Sequence, residues 1–201
     1  MVYLGRGMDD GRRTFACLVG IPVSYTHLDV YKRQEEVNAI TDKIEAEYAQ
    51  GKNIGKRARI LVTGSPSGGA ALKVVRAIED NGGVVVCFEN CSGMKPLDPI
   101  DEDNPDVYDA LARKYLNIGC SCMSPNPRRM ELLDRLIDDF HVDGVVDLVL
   151  QACHTYNVET SLVRKLVKEK KGLPYTVVET DYSQADVGQL NTRMAAFIEM
   201  L

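Results

Sequence analysis

Four cysteines stand where the chain is expected to turn, and thiolates suit soft metal ions. Cys91 follows the apolar run Val84–Phe88 in ENCSG, and Cys153 follows a second apolar run in QACH. Cys120 and Cys122 form a C-x-C pair, which on an extended chain points both thiols the same way. Such a set suits zinc or an iron–sulfur cluster. From spacing alone, buried cysteines acting as small apolar side chains explain the pattern equally well.

The glycine-rich segment GSPSGG, residues 64–69, separates a predicted strand from a predicted helix. Turns of this kind can direct backbone N–H groups at a phosphate. The segment lacks the lysine of the P-loop and the G-x-G-x-x-G spacing of dinucleotide sites. A tight strand-to-helix turn is therefore favoured, and the alternative function is a flavodoxin-like module that binds a phosphate or nucleotide without metal.

Other polar residues are candidates by position only. Cys87 lies inside a β-branched run and is expected in the core. His154 is interpreted as an acid or a hydrogen-bond donor, or equally well as a loop histidine. Glu89, Glu179 and Asp181 follow or end predicted strands, so they are candidate proton carriers, although helix capping or solvation is the favoured interpretation.

Alternating strands and helices must position these residues. The order strand, helix, strand within roughly 30 residues predicts a right-handed parallel βαβ unit. The fold class is therefore α/β, an open, mostly parallel sheet of about four strands with flanking helices. Ligands bind such sheets at the carboxyl ends of the strands. The predicted strands cover residues 58–64, 84–88, 144–151 and 175–179, and the later helices cover 107–115, 127–140, 158–170 and 187–200.

Composition narrows the class of partner. The net charge of −5 is spread without a basic stripe, so we expect no nucleic-acid partner. No apolar run reaches the roughly 20 residues that span a bilayer, and no signal peptide is evident, so we expect no membrane association and a cytoplasmic location. Six cysteines in that compartment indicate thiols or metal ligands rather than disulfides.

Four longer blocks resemble a known family. They read VVVCFENCSGMKPLD, YLNIGCSCMSPNPRRMELLDRLID, VDGVVDLVLQACHTYNVE and PYTVVETDYSQADVGQLNTRMAAFIEML. Together they resemble the carboxy-terminal domain of the superfamily of 2-hydroxyacyl-CoA dehydratases and benzoyl-CoA reductase B-type subunits. The sequences of these blocks are most similar to the branch of anaerobic reductases that contain a double-cubane cluster. The resemblance runs from about Glu35 to Leu201.

The resemblance implies an oxygen-sensitive iron–sulfur protein with a 4Fe–4S or a double-cubane 8Fe–9S cluster. It implies low-potential electrons delivered by an ATP-hydrolysing iron–sulfur activator protein, and a homodimer or heterodimer in the full-length protein. Cys91, Cys120, Cys122 and Cys153 match cysteine-bearing family motifs and are the implied ligands. The implied chemistry is dehydration of a CoA-linked substrate or reduction of a small one, acting as lyase or reductase.

The segment Pro22–Gln34, PVSYTHLDVYKRQ, is unusual at the level of nucleic acid. It can be back-translated into an inverted repeat whose arms match the ends that transposase-based library preparation attaches to DNA. We interpret it as a sequencing-adapter scar, which carries no information about the fold. The expected organisation is a foreign remnant with the scar at 1–34, a linker helix at 35–56, and a carboxy-terminal iron–sulfur α/β domain at 57–201.

Members of the resembled family carry a further α/β domain before the helix at Glu35, with more cysteine ligands and half of the cleft. Met1–Ile21 is too short to supply it. The sequence therefore predicts a fragment of an enzyme that is inactive alone. A truncated fold without activity is a further alternative.

Deleting Met1–Gln34 should leave the thermal midpoint nearly unchanged, because a foreign segment has no surface complementary to the domain. Thermal unfolding of the full and shortened chains measures this. A loss of several degrees would show that the segment is structural.

Overall fold

The computed structural model describes residues 3–6, 14–17, 27–51, 55–66, 68–97 and 99–201. Strands and helices alternate through most of this part of the chain. The strands are β1 (Tyr3–Arg6), β2 (Thr14–Cys17), β3 (Ala58–Gly64), β4 (Gly83–Glu89), β5 (Gly144–Leu150) and β6 (Tyr175–Thr180). The helices are α1 (His27–Ala49), α2 (Gly68–Asp80), α3 (Val107–Leu116), α4 (Pro127–Asp139), α5 (His154–Arg164) and α6 (Val187–Ile198), with a π-helical segment at Lys165–Lys170 after α5.

Four strands form one sheet in the order β4–β3–β5–β6, and every neighbouring pair is parallel. The predicted α/β class is confirmed. The chain passes from β3 to β4 on one side and later returns to β5 on the other. The connections after β3 and β5 therefore diverge, which is the arrangement that opens a crevice at the carboxyl edge of a sheet.

Both faces of the sheet are covered, because successive side chains of a strand point to opposite faces. Leu61 packs with α4, α5 and the π-helical segment. Its neighbours Ile60 and Val62 pack with α2 and α6 on the other face. Cys87 is 1% exposed within the first of these cores, so its predicted core position is confirmed.

Helix α5 begins at His154, four residues before the predicted start, and its last turns are π-helical. The missed turn, residues 154–157, buries Tyr156, whose hydroxyl accepts a hydrogen bond from Lys95, and hydrophobic periodicity does not detect such a polar contact. Cys153 therefore occupies the N-cap position of the helix rather than a position within a longer loop.

Strands β1 and β2 pair with each other in an antiparallel sheet of their own, and their Cα atoms come within 8 Å of β4. Helix α1 begins at His27 and continues across Gln34, so the predicted linker helix starts earlier than expected. From Gln34 to Ala49 its side chains are exposed or half-buried. The assignment of residues 1–34 to foreign sequence stays a prediction.

In the described ranges, each helix is too short or too polar to cross a bilayer.

A substitution at Gly64 would test the close contact between β3 and β5. Its φ is +104°, and an added Cβ would lie 2.1 Å from the carbonyl oxygen of Leu148. Gly64→Ala should therefore lower the free energy of unfolding by about 2–4 kcal/mol. Gly69→Ala is the matched control, because its Cβ would meet open space. Equal urea midpoints for both variants would contradict this account of the contact.

Candidate functional site

The four predicted cysteines lie in segments at the carboxyl edge of the sheet. Cys91 follows β4 and is exposed, and Cys153 follows β5 and is partly buried. Cys120 is partly buried and Cys122 is exposed in the loop before α4. Because α4 leads back to the start of β5, its first turn lies at the same edge. The structure therefore gathers all four residues at the side of the sheet where the sequence predicts a site.

Cys120 and Cys122 bring their sulfur atoms within 3.3 Å. The backbone between them forms a tight turn, in which the Met123 N–H donates to the Cys120 carbonyl oxygen at 3.0 Å. The expectation of an extended C-x-C segment is wrong, although the thiols still meet. Hydrogen bonds from the backbone N–H and thiol of Cys122 lower the pKa of Cys120. The same contact with Cys120 raises the pKa of Cys122.

Cys153 lies at the N-terminus of α5, where backbone N–H groups lack helical acceptors. Burial alone would raise the pKa of its thiol. Hydrogen bonds from the backbone N–H of Tyr156 and the side chain of Thr155 outweigh burial, so the pKa is lowered. This is the environment expected for a cysteine that binds metal as a thiolate.

The described residues contain no group of three or more His, Cys, Asp or Glu side chains that could hold a metal ion. The structure joins Cys120 with Cys122 but shows no joint coordination group with Cys91 and Cys153. The four-ligand set stays a prediction. The donor chemistry still fits an iron–sulfur group, because two thiols have lowered pKa values and the set is rich in sulfur.

Arg129 of α4 is fully buried beside the cysteine loops, and sequence analysis missed it. Its Nε donates to Glu89 at 3.2 Å, and its Nη2 donates to the hydroxyl of Thr63 at 2.9 Å. Its Nη1 donates to Glu159 at 2.5 Å. One guanidinium thus ties together the ends of β3 and β4, the first turn of α4 and the second turn of α5.

Lys95 is a second buried cation in this network. Its Nζ lies 3.1 Å from Glu89 Oε1 and donates to the Tyr156 hydroxyl at 3.2 Å. Burial lowers the pKa of Lys95, but the negative charge of Glu89 and the contact with Tyr156 raise it more, so the net direction is upward. Glu89 is therefore an ion-paired structural carboxylate, which weakens its interpretation as a proton carrier.

Asn126 holds the C-x-C loop instead of capping α4. It occupies the N-cap position with Pro127 next, but its side chain makes no capping hydrogen bond. Its Nδ2 donates to the Cys120 carbonyl oxygen at 2.9 Å and to Glu159 Oε1 at 2.7 Å. The buried carboxylate is a strong acceptor, and it turns the amide inward.

A family model described as HGD-D, 2-hydroxyglutaryl-CoA dehydratase, D-component, matches residues 13–201. The chain belongs to this family. The family suggested by the four sequence blocks is confirmed. YjiM of Escherichia coli (strain K12), provisionally named a dehydratase subunit, is 54% identical over 166 residues, which is 83% of this chain and 43% of YjiM.

Two further relatives are named as parts of enzymes that act on CoA thioesters. Lactoyl-CoA dehydratase subunit alpha of Anaerotignum propionicum is 31% identical over 52% of this chain and 24% of its own length. A benzoyl-CoA reductase subunit of Thauera aromatica is 24% identical over 71% of this chain and 34% of its own length. This HGD-D chain spans less than half the length of these relatives.

The glycine-rich turn and the two other acidic candidates of this HGD-D family member either make structural hydrogen bonds or are exposed to solvent. The Ser65 N–H donates to the Leu148 carbonyl oxygen at 2.7 Å, so it is not directed at a phosphate. This favours the tight-turn interpretation of GSPSGG. Asp181 accepts the N–H of Ser183 at 2.8 Å, and Glu179 is exposed. Neither is brought among the cysteines.

Asp147 lies under the network on β5 and is 1% exposed. Its Oδ2 accepts the Tyr175 hydroxyl at 2.8 Å, whereas its Oδ1 has no hydrogen-bond partner among the described residues. Burial raises the pKa of Asp147 to about 6, although the positive charge of Arg129 and the Tyr175 hydroxyl oppose this. Sequence analysis missed it, although a single acidic residue inside the otherwise apolar strand GVVDLVL is a visible signal.

The raised pKa of Asp147 should make stability depend on pH. Between about pH 4 and 6 the native carboxyl holds a proton that the unfolded chain releases, so the free energy of unfolding falls as pH rises. Above about pH 6 the loss is complete, at roughly 2–3 kcal/mol. Asp147→Asn should remove this decline in urea unfolding at several pH values. The exposed Asp139→Asn should keep it, and parallel profiles for all three proteins would refute the assignment.

Proposed function

We propose that this chain is the part of a 2-hydroxyacyl-CoA dehydratase-like or anaerobic reductase subunit that holds an iron–sulfur cluster. The observation that carries the proposal is the pair of thiols at Cys120 and Cys122, with sulfur atoms 3.3 Å apart at the carboxyl edge of the sheet. Family membership and the subunit names of the relatives support the class of enzyme.

Cys91, Cys120, Cys122 and Cys153 would hold the cluster as thiolates. When bound, the cluster would supply one-electron reduction at low potential. The chain's own contribution is electrostatic and steric. The backbone N–H groups of α5 stabilise the thiolate of Cys153. Hydrogen bonds from Cys122, with a smaller contribution from the buried cation Lys95, lower the pKa of Cys120. These interactions favour sulfur in the charged form that iron requires.

A cavity of about 200 Å³ opens beside the C-x-C loop and suits an anionic part of a substrate. Its lining includes Gly119 next to Cys120, and its charged side chains are mostly positive. Four of the charged side chains are cations, Lys95, Lys114, Arg128 and Arg135, and one is a carboxylate, Glu131. A CoA-linked or small anionic substrate would be attracted to such a surface. An ATP-hydrolysing iron–sulfur activator and a second subunit are the proposed partners.

Cys153→Ser should lower iron retention sharply after anaerobic reconstitution, with little change in fold, because a hydroxyl replaces a thiolate that lies at the carboxyl edge. Iron and acid-labile sulfide analysis measures the loss. Cys87→Ser is the matched control in the core. It should keep its iron and lose about 1–3 kcal/mol of stability, because it places a hydroxyl among apolar side chains. Equal iron content in wild type and Cys153→Ser would defeat the cluster assignment.

A further inference from the structure

One side of α5 carries three residues spaced three apart, Cys153, Tyr156 and Glu159. This spacing makes each of them a neighbour of the next on the helix surface. Tyr156 is 5% exposed and Glu159 is 6% exposed, so both polar groups point into the protein. Each of them contacts a segment that belongs to a different cysteine-bearing loop.

Tyr156 connects α5 to the loop of Cys91. Its hydroxyl accepts a hydrogen bond from Lys95, which follows Cys91 by four residues. Lys95 also pairs with Glu89, two residues before Cys91. The Lys95 Nζ lies 5.3 Å from the centre of the Tyr156 ring, so the contact combines a hydrogen bond with a cation–π interaction.

Glu159 connects α5 to the C-x-C loop. Its Oε1 accepts the amide of Asn126 at 2.7 Å, and the same amide donates to the Cys120 carbonyl oxygen. At Gly119, just before Cys120, an added Cβ would lie 2.5 Å from the Arg129 backbone nitrogen. The C-x-C loop therefore rests directly on the first turn of α4 and is tied from there to α5.

Arg129 lies between the two connections and contacts both, while each connection keeps its own hydrogen bond. It donates to Glu159 and to Glu89, and its guanidinium lies 4.9 Å from the centre of the Tyr156 ring. A buried ionic network resists movement, because separating one of its ion pairs leaves an uncompensated charge in a medium of low dielectric. Movement of one cysteine loop relative to α5 is therefore costly.

We propose that Tyr156 and Glu159 are positioning residues that hold the Cys91 loop and the C-x-C loop against Cys153. The inference rests on the proposed function, since it concerns the same cysteines. It assigns a separate contact to each loop, Tyr156 to the Cys91 loop and Glu159 to the C-x-C loop. Removing one contact should then displace one loop and leave the other in place.

Crosslinking of the metal-free, reduced chain with dibromobimane tests this, because the reagent joins only neighbouring thiols. Peptide mapping identifies each joined pair. Wild type should give crosslinks from Cys153 to Cys91 and to the C-x-C loop. Tyr156→Phe should reduce the link to Cys91, and Glu159→Gln the link to the C-x-C loop, each by roughly five- to tenfold.

The link between Cys120 and Cys122 is the internal control, because both thiols belong to one loop. It should be unchanged in every variant that folds. Glu169→Gln is the matched surface control, since Glu169 is exposed in the π-helical segment that follows α5. Thermal unfolding shows which variants are folded. If Glu159→Gln does not fold, the crosslinking of Tyr156→Phe tests the proposal. This variant keeps the buried aromatic ring and should therefore fold.

The outcomes separate the two proposals. Equal inter-loop yields in wild type and the folded variants, or no inter-loop links in wild type, would overturn the positioning role. A second outcome is that the inter-loop links form in wild type and fall selectively in the variants, but no protein takes up iron on anaerobic reconstitution. This outcome would support the positioning role and contradict the iron–sulfur function. Equal iron uptake by wild type and both variants would contradict the positioning role. It would leave the proposed iron–sulfur function standing.

Discussion

The buried guanidinium of Arg129 is the interaction on which the carboxyl edge of this domain depends. A charge in the interior loses its hydration, and the loss is offset only when hydrogen-bond partners surround it. Glu89, Glu159 and Thr63 supply these partners from three different elements. The geometry of one side chain therefore fixes the relative positions of β3, β4, α4 and α5 where the cysteine loops begin.

The two faces of the sheet differ in how they are held. The face covered by α2 and α6 is packed by apolar side chains such as Val74, Ile78 and Met194, and its stability comes mainly from burial. The face covered by α4 and α5 is apolar near the start of the strands, where Leu136 and Val145 pack. It becomes ionic near their carboxyl ends. The polar network thus lies directly beneath the site.

This arrangement suits a site built from thiolates. Four thiolates brought together from three loops, as proposed here, would repel one another, and loops are the mobile part of a fold. Lys95 supplies positive charge near Cys120, and Asn126 fixes the backbone of the same loop. A rigid ionic base can hold such loops in place more precisely than apolar contacts, because its hydrogen bonds are directional.

Local sequence patterns determined the class of fold, the bounds of most strands and helices, and the placement of Cys91 and Cys153 after parallel strands. Apolar periodicity and turn residues act over a few positions, so they are readable without a structure. The sheet order, the inward turn of Asn126 and the burial of Arg129, Lys95 and Glu159 were decided only by tertiary structure. Arg129 meets Thr63 across 66 residues and Glu159 across 30, and no local pattern distinguishes these charges from solvated ones.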